Sequence, residues 1–166
     1  MLYPAQLYKE ELQKKMISKW YDPKYMYYFG GERYITQLPD NTEYRQDFVH
    51  LDSNGEVDGY FSYHFDKAAG SMSQFGLISF SDNGTALVQD AINRVKYMFK
   101  HGAQRCEFWC FTDNPVCKFY KYLMKRYGGN EVGHLKRCAF FDGWYHDMII
   151  FEVLIEKARI FSMEDD

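Results

Sequence analysis

The segment from Ser81 to Ala86 has the residue types of a phosphate-binding turn. It follows an apolar run typical of a strand and precedes a long segment with helical periodicity. A helix N-terminus presents backbone N–H groups and the positive end of the helix dipole, and both favour a phosphate. Gly84 lies inside the turn, where the lack of a side chain allows close approach of the backbone. A plain turn glycine is the alternative interpretation.

Glu107 is the single charge in the apolar run Cys106–Phe111. A carboxylate in such a strand acts as a general base, directly or through water, if it faces a cleft. It faces solvent if it lies at a strand end, and the sequence leaves both interpretations open. Cys117 is predicted to be a small buried hydrophobic residue rather than a nucleophile, because no histidine lies near it in sequence.

The cysteines and histidines predict neither a disulfide framework nor a metal site. The four cysteines have no CxxC spacing, and the five histidines are scattered along the chain. The first residues lack the apolar run of a signal peptide. We therefore expect a cytoplasmic protein with reduced thiols and no bound metal.

The composition excludes several classes of protein. A length of 166 residues predicts one domain spanning residues 1–166. Twenty basic and 23 acidic side chains give a net charge of −3, which offers no electrostatic footprint for nucleic acid or an anionic membrane. No apolar run approaches the ~18 residues of a membrane-spanning helix. The aromatic content of 19% predicts a core and clefts lined by rings.

Hydrophobic periodicity predicts helices and strands that alternate in an α/β or α+β order. Helices are expected over 5–20, over about 88–99 and from Asp113-Asn114-Pro115 onward. Strands are predicted at Tyr34–Leu38, Tyr44–Leu51, Val57–Phe65, Met72–Phe80, Cys106–Phe111, 131–141 and 144–155. Turns are predicted at Ser53-Asn54-Gly55, Ala68-Ala69-Gly70, His101-Gly102, Gly128-Gly129 and Asp142-Gly143. On the last strand, Tyr145 and His146 alternate, so one ring faces inward and the other outward.

This order, and the residues at its joints, resemble the GNAT superfamily of acyl-CoA-dependent N-acetyltransferases. The resemblance covers roughly residues 30–155. Val57-Asp58-Gly59-Tyr60-Phe61 is similar to the family's third strand, and a strand, a glycine turn and a long helix follow in the family's order. The segment from Phe111 to Tyr120 resembles the family's asparagine-started helix with its tyrosine. The resemblance implies a mixed, mostly antiparallel central sheet with a splayed strand pair, flanked by helices.

The resemblance also implies an acetyl-CoA site. Acetyl-CoA would lie across the ends of strands 72–80 and 106–111, with its pyrophosphate over residues 81–86. Free backbone groups at Ile78 and Phe80 would pair with the pantetheine arm. Tyr120 would protonate the departing thiolate, or else be a core tyrosine. The implied cofactor-binding residues are Ile78, Phe80, Asn83, Gly84, Thr85, Ala86 and Asn114.

The turn departs from the family's pattern, which begins with a basic or amide residue and has two glycines. Here it has one glycine and an acid, Asp82, which would repel a diphosphate unless it points away or caps the helix. Asn114 lies one residue later than the family's asparagine. Both Asn114 and Asp113 have a plain helix cap as their alternative interpretation.

Two functions agree with this sequence. The first is an N-acetyltransferase that moves an acetyl group from acetyl-CoA to a primary amine, in a small molecule or a peptide, by direct attack in a ternary complex. The second is a non-catalytic GNAT-fold (acyl-CoA-)binding protein with a degraded cofactor turn. Nucleic-acid binding through exposed rings is disfavoured by the acidic balance.

The sequence gives only general indications of the amine acceptor and of the oligomeric state. The aromatic segment Tyr25-Met26-Tyr27-Tyr28-Phe29, with acids nearby, would form a cleft suited to a cation, or else be plain core. A homodimer is a further expectation, based on a long edge strand and exposed rings. No membrane partner is expected.

Overall fold

The computed structural model describes residues 1–29 and 42–157. Its helices are α1 (Lys9–Ser18), α2 (Met26–Phe29), α3 (Thr85–Lys100) and α4 (Cys117–Tyr127). Its strands are β1 (Leu2–Pro4), β2 (Arg45–Leu51), β3 (Val57–Asp66), β4 (Ser71–Ser79), β5 (Arg105–Phe111), β6 (Asn130–Phe141) and β7 (Trp144–Leu154). The predicted strand Tyr34–Leu38 lies outside the described residues.

The described strands follow the order β1-β2-β3-β4-β5-β7-β6 in a mixed, mostly antiparallel sheet. The parallel pair is β4 with β5. By compactness the chain divides into two units: residues 1–65 with 74–94, and residues 66–73 with the chain from Val95 onward. The mixed sheet with flanking helices confirms the predicted fold class.

The first unit has a core between its N-terminal helical segment and its strands. Leu12 of α1 and Tyr25 are buried in one cluster with Val49, Val57, Tyr60 and Ile78. A turn with Gly55 at φ +82° joins β2 to β3, as predicted. Tyr25 is thus a core residue.

The second unit packs α4 on the strands β5, β7 and β6. Phe108 of β5 lies opposite Phe151 of β7, and the ring of Tyr120 contacts both. Asp142 and Gly143 have φ values of +52° and +85°, which match the hairpin turn that their sequence predicts. This hairpin pairs β7 antiparallel with β6.

Two helix boundaries differ from the prediction. Ala5–Tyr8 forms a 3₁₀ turn, and α1 covers only Lys9–Ser18 of the predicted 5–20. α4 begins at Cys117, two residues after Pro115, because the preceding residues form a turn of their own. No helix among the described residues is long and apolar enough to cross a membrane.

Candidate active site

Side chains brace the turn before α3 against its own backbone. The Ser79 hydroxyl donates to the Ser81 carbonyl (3.0 Å), and the Ser81 hydroxyl donates to the Asn83 carbonyl (3.2 Å). Asn83 Oδ1 accepts the N–H of Thr85 at 3.1 Å. Asn83 therefore caps α3, whose first N–H groups have no partner within the helix. The next first-turn N–H group, that of Ala86, is of the kind that binds anions.

Gly84 is closely packed against Ser79 inside this turn. An added Cβ would lie 3.1 Å from Ser79 Cβ and 3.3 Å from Ser79 Oγ. A side chain at this position would force Ser79 to shift by a few tenths of an ångström. The predicted close approach of a phosphate to the Gly84 backbone stays a prediction.

Asp82, the unfavourable charge of the turn, forms an ion pair. Its Oδ1 lies 3.0 Å from Lys24 Nζ, although the two residues are 58 positions apart in sequence. This hydrogen bond lowers the pKa of the Asp82 carboxyl and raises the pKa of the Lys24 ammonium. The sequence allowed Asp82 to point away or to cap the helix, and the capping side chain is that of Asn83. No local pattern in the sequence could have identified Lys24.

The strand that leads into the turn is irregular near its start. β4 pairs with β5 at Ser71 with Arg105 and at Met72 with Cys106. Gln74 then has a φ of +51°, a left-handed value that is uncommon for a residue with a side chain. Such a residue redirects the backbone N–H and C=O groups of its strand.

The two predicted pantetheine-binding positions lie at the end of β4. The Ile78 side chain is buried in the core of the first unit. The N–H of Phe80 donates to the carbonyl of Asp58 at 2.8 Å. The expectation of free backbone groups is therefore wrong for the Phe80 N–H, because that group completes the pairing of β4 with β3.

Tyr120 lies on α4 with its ring among aromatic neighbours. The ring packs edge-on against Phe108, with centroids 5.2 Å apart, and against Phe151 at 6.4 Å. Burial raises the pKa of Tyr120 above its usual range, and the neighbouring Cys110 and Cys117 add to the effect. The hydroxyl is thus protonated at neutral pH, and it has no hydrogen-bond partner among the described residues.

The two cysteines beside Tyr120 are buried. Cys110 and Cys117 are free thiols, and burial raises the pKa of Cys110. A protonated buried thiol is a poor nucleophile. The burial of Cys117 confirms its prediction as a small buried hydrophobic residue.

Glu107 lies on β5 among other charged side chains. Its carboxylate contacts the guanidinium of Arg105, whose Nε also lies 2.7 Å from Glu152. Glu107 is half-buried on its strand. A role as base requires that its carboxylate leave Arg105, whereas an ordered water as base has no such requirement.

Asn114 shapes the turn that leads into α4. Its Oδ1 accepts the N–H of Val116 at 3.1 Å, and its carbonyl accepts the N–H of Cys117 at 2.9 Å. As in a helix cap, the Asn114 side chain accepts a backbone N–H, but the residue that directly precedes α4 is Val116. The Asp113 carboxylate lies 2.8 Å from His146 Nδ1.

Sequence reasoning missed the pairing of a buried histidine with an exposed aspartate. His146 Nδ1 lies 2.8 Å from the Asp113 carboxylate, and Nε2 lies 3.1 Å from the carbonyl of Phe141. The His146 ring is buried and stacks on the Phe141 ring at 3.6 Å, whereas Tyr145 is exposed. The predicted alternation of Tyr145 and His146 is thus confirmed. Both ring nitrogens of His146 are engaged, so this residue joins the closing hairpin to the loop before α4.

The predicted site residues fall into two groups, one in each unit. Ile78, Phe80, Asn83, Gly84, Thr85 and Ala86 belong to the end of β4 and the start of α3 in the first unit. Glu107, Asn114 and Tyr120 belong to β5, the following loop and α4 in the second unit.

Comparisons with known proteins find similarity in structure only. No family model and no curated protein matches the sequence. The chain is similar to a spermidine N-acetyltransferase from Vibrio cholerae in complex with CoA and spermine, with 18% identity, a TM-score of 0.70, and coverage of 95% of this chain and 96% of that chain. It is also similar to a GCN5-related N-acetyltransferase from Brucella melitensis, with 19% identity, a TM-score of 0.67, and coverage of 94% and 76%.

These similarities establish the fold of the chain. The fold is that of the GNAT acetyltransferases, and the resemblance stated from the sequence is confirmed at the level of the fold.

Proposed function

We propose that this protein is an N-acetyltransferase that uses acetyl-CoA. The observation that carries the proposal is the turn before α3, where Asn83 Oδ1 accepts the N–H of Thr85 at the start of a long helix, the kind of position that favours a phosphate. In GNAT enzymes this position binds the pyrophosphate of CoA. The similar Vibrio cholerae enzyme is in complex with CoA, which supports a CoA-type cosubstrate.

The proposed reaction is direct transfer in a ternary complex. The nitrogen of a primary amine attacks the thioester carbonyl carbon, forming a C–N bond while the carbonyl π electrons move onto oxygen. A backbone N–H near Ile78 stabilises that oxygen. The carbonyl then re-forms, the C–S bond breaks, and the electron pair leaves with the sulfur of CoA.

Two proton transfers complete the reaction. The amine loses one proton, to an ordered water or to Glu107, and the CoA thiolate gains one proton from Tyr120. Tyr120 is protonated at neutral pH, as a general acid must be, but burial, which raises its pKa, makes it a weaker acid than an exposed tyrosine. The products are an N-acetylated amine and free CoA.

The second candidate is a non-catalytic protein with the same fold and a degraded cofactor turn. Asp82 and the missing second glycine favour it. The ion pair between Asp82 and Lys24 weakens that argument, since it neutralises the acid of the turn.

Thermal unfolding with and without ligand tests whether the turn still binds acetyl-CoA, as the first candidate requires. Acetyl-CoA at 100 times its Kd is expected to add about 2.7 kcal/mol to the free energy of unfolding. Gly84→Val serves as the matched variant, because a β-branched side chain in the turn weakens CoA binding, and its ligand-induced shift should be smaller. The absence of any shift with acetyl-CoA, CoA or longer acyl-CoAs would favour the second candidate.

The acceptor is proposed as a small primary amine, with a peptide amine as the other source. Spermidine and spermine are the first compounds to test, because the similar Vibrio cholerae enzyme is in complex with spermine. A cytoplasmic location and a homodimer stay predictions, and sedimentation velocity tests the dimer.

A further inference from the structure

Lys24 is held in a fixed place beside the turn before α3. The Asp22 side chain accepts the N–H of Lys24 at 3.0 Å, which closes the short 3₁₀ turn Pro23–Tyr25. The next residue, Tyr25, is buried, and its ring lies 6.4 Å from that of Phe80. Phe80 directly precedes the turn, so Tyr25 anchors Lys24 to the turn's first residues.

Two lysine ammonium groups lie near the Tyr25 ring, and one of them pairs with Asp82. The ammonium groups of Lys19 and Lys24 each lie 5.7 Å from the centroid of the Tyr25 ring. Lys24 reaches Asp82, whose carboxylate is fully exposed, while the Lys24 side chain is half-exposed. The turn thus has no basic residue of its own, but a basic residue from a distant segment is bound to its acid.

We propose that Lys24 binds the diphosphate of CoA and that its ion pair with Asp82 breaks when CoA binds. Asp82 therefore competes with the diphosphate for this lysine. The proposal rests on the proposed function, since it concerns the same cofactor turn. Lys24 supplies the positive charge that the turn's own residues lack. Asp82 holds the ammonium in place before the cofactor binds and lowers the affinity for CoA, because its negative charge stays near the diphosphate.

Three variants test this by calorimetric titration with CoA at low ionic strength. Lys24→Gln is expected to weaken CoA binding about fivefold, and Asp82→Asn is expected to tighten it about threefold. The effects are small because each variant removes one exposed charge, which interacts weakly in water. Lys14→Gln is the matched control, because it removes the same charge from an exposed lysine of α1 and should leave the affinity unchanged. Both effects should shrink as salt is raised to 0.3 M.

The decisive comparison introduces Lys24→Gln into the Asp82→Asn protein. If Lys24 contacts the diphosphate, the loss of about fivefold persists without Asp82. If Lys24 serves only to neutralise Asp82, the loss disappears, and the proposal is overturned. Dephospho-CoA, which lacks the 3′-phosphate, should give the same losses, and their absence would move the contact to that phosphate and also overturn the proposal.

Failure of the proposed function gives a different result. A wild-type protein that binds no CoA at all overturns both proposals. A wild-type protein that binds CoA as tightly as Lys24→Gln overturns only the role of Lys24. Thermal midpoints of the variants within a few degrees of the wild type confirm that each is folded, as expected for an exposed ion pair.

Discussion

Tyr120 combines an aromatic environment with a hydroxyl that has no partner among the described residues. Its ring is held by Phe108 and Phe151, so the position of the oxygen is set by packing rather than by a hydrogen bond. The sequence placed Tyr120 on an apolar helix face, which also fits a core tyrosine with a bonded hydroxyl. The catalytic role of Tyr120 stays a prediction.

Replacing Tyr120 with phenylalanine removes only this oxygen. Stability should change little, because the hydroxyl makes no hydrogen bond within the described residues. General acids contribute on the order of 10²–10⁴ in rate, so kcat should fall at least tens-fold while acetyl-CoA affinity stays nearly constant. Steady-state kinetics with the amine that the wild type accepts is the measurement. Full activity in Tyr120→Phe would mean that the proton comes from water.

Tyr60 gives a second prediction at the scale of single residues. Its hydroxyl donates to the buried Asp47 carboxylate at 2.5 Å, and burial together with Asp47 raises the pKa of Tyr60 to about 12. A raised pKa favours the protonated phenol in the folded state, so this stabilisation is complete below pH 10 and is lost as pH rises toward 12. Two pKa units correspond to about 2 to 3 kcal/mol.

Denaturant unfolding of wild type and Tyr60→Phe between pH 9 and pH 12 checks this prediction. The difference in the free energy of unfolding between the two proteins should shrink as pH rises, by up to about 2 to 3 kcal/mol. A difference that stays constant across this range would show that Tyr60 does not titrate as described.

The turn before α3 is the element to which we assign cofactor binding. Its location followed from the sequence, because a polar stretch with a glycine separates strand periodicity from helix periodicity. Its internal structure did not, since the capping residue is Asn83 rather than Asp82, and a side chain at Gly84 would crowd Ser79. Hydrogen bonds of this kind depend on side-chain directions that spacing alone does not specify.

Asn83 allows capping and charge to be tested separately. Asn83→Ala removes the cap and should lower the free energy of unfolding by about 1 kcal/mol. Asn83→Asp keeps a capping oxygen, so stability should be retained, but its negative charge should weaken CoA binding several-fold. Thermal unfolding and calorimetric titration of both variants give the comparison. Equal CoA affinity in Asn83→Asp and wild type would place the diphosphate elsewhere.

In the closing hairpin, the local turn could be predicted from the sequence, but a contact between distant residues could not. The Asp142-Gly143 turn is encoded in two adjacent residues and was predicted. The contact of His146 with Asp113 joins residues 33 positions apart, and no periodicity indicates it. The sequence therefore predicts the local turn but not the distant partner of a buried polar side chain such as His146.

At the scale of the whole molecule, the order of elements carried the prediction of the fold. Strands β2 to β7 and the long helix α3 follow the predicted order, whereas the short strand β1 was not predicted. Similar folds belong to N-acetyltransferases at 18% and 19% identity. The shifted start of α4 and the distant Lys24 could not be predicted, because both depend on contacts formed only in the folded chain.

The release of free thiol from acetyl-CoA is the most direct test of acetyl transfer. Wild-type protein is mixed with acetyl-CoA and, in separate reactions, spermidine, spermine, a lysine-containing peptide or no amine, and thiol is followed with a colorimetric reagent. We expect amine-dependent thiol release together with an acetylated amine detected by mass spectrometry, and at least tens-fold slower release by Tyr120→Phe. A wild-type protein that binds acetyl-CoA but releases no thiol with any amine would contradict the proposed transfer and favour a binding protein.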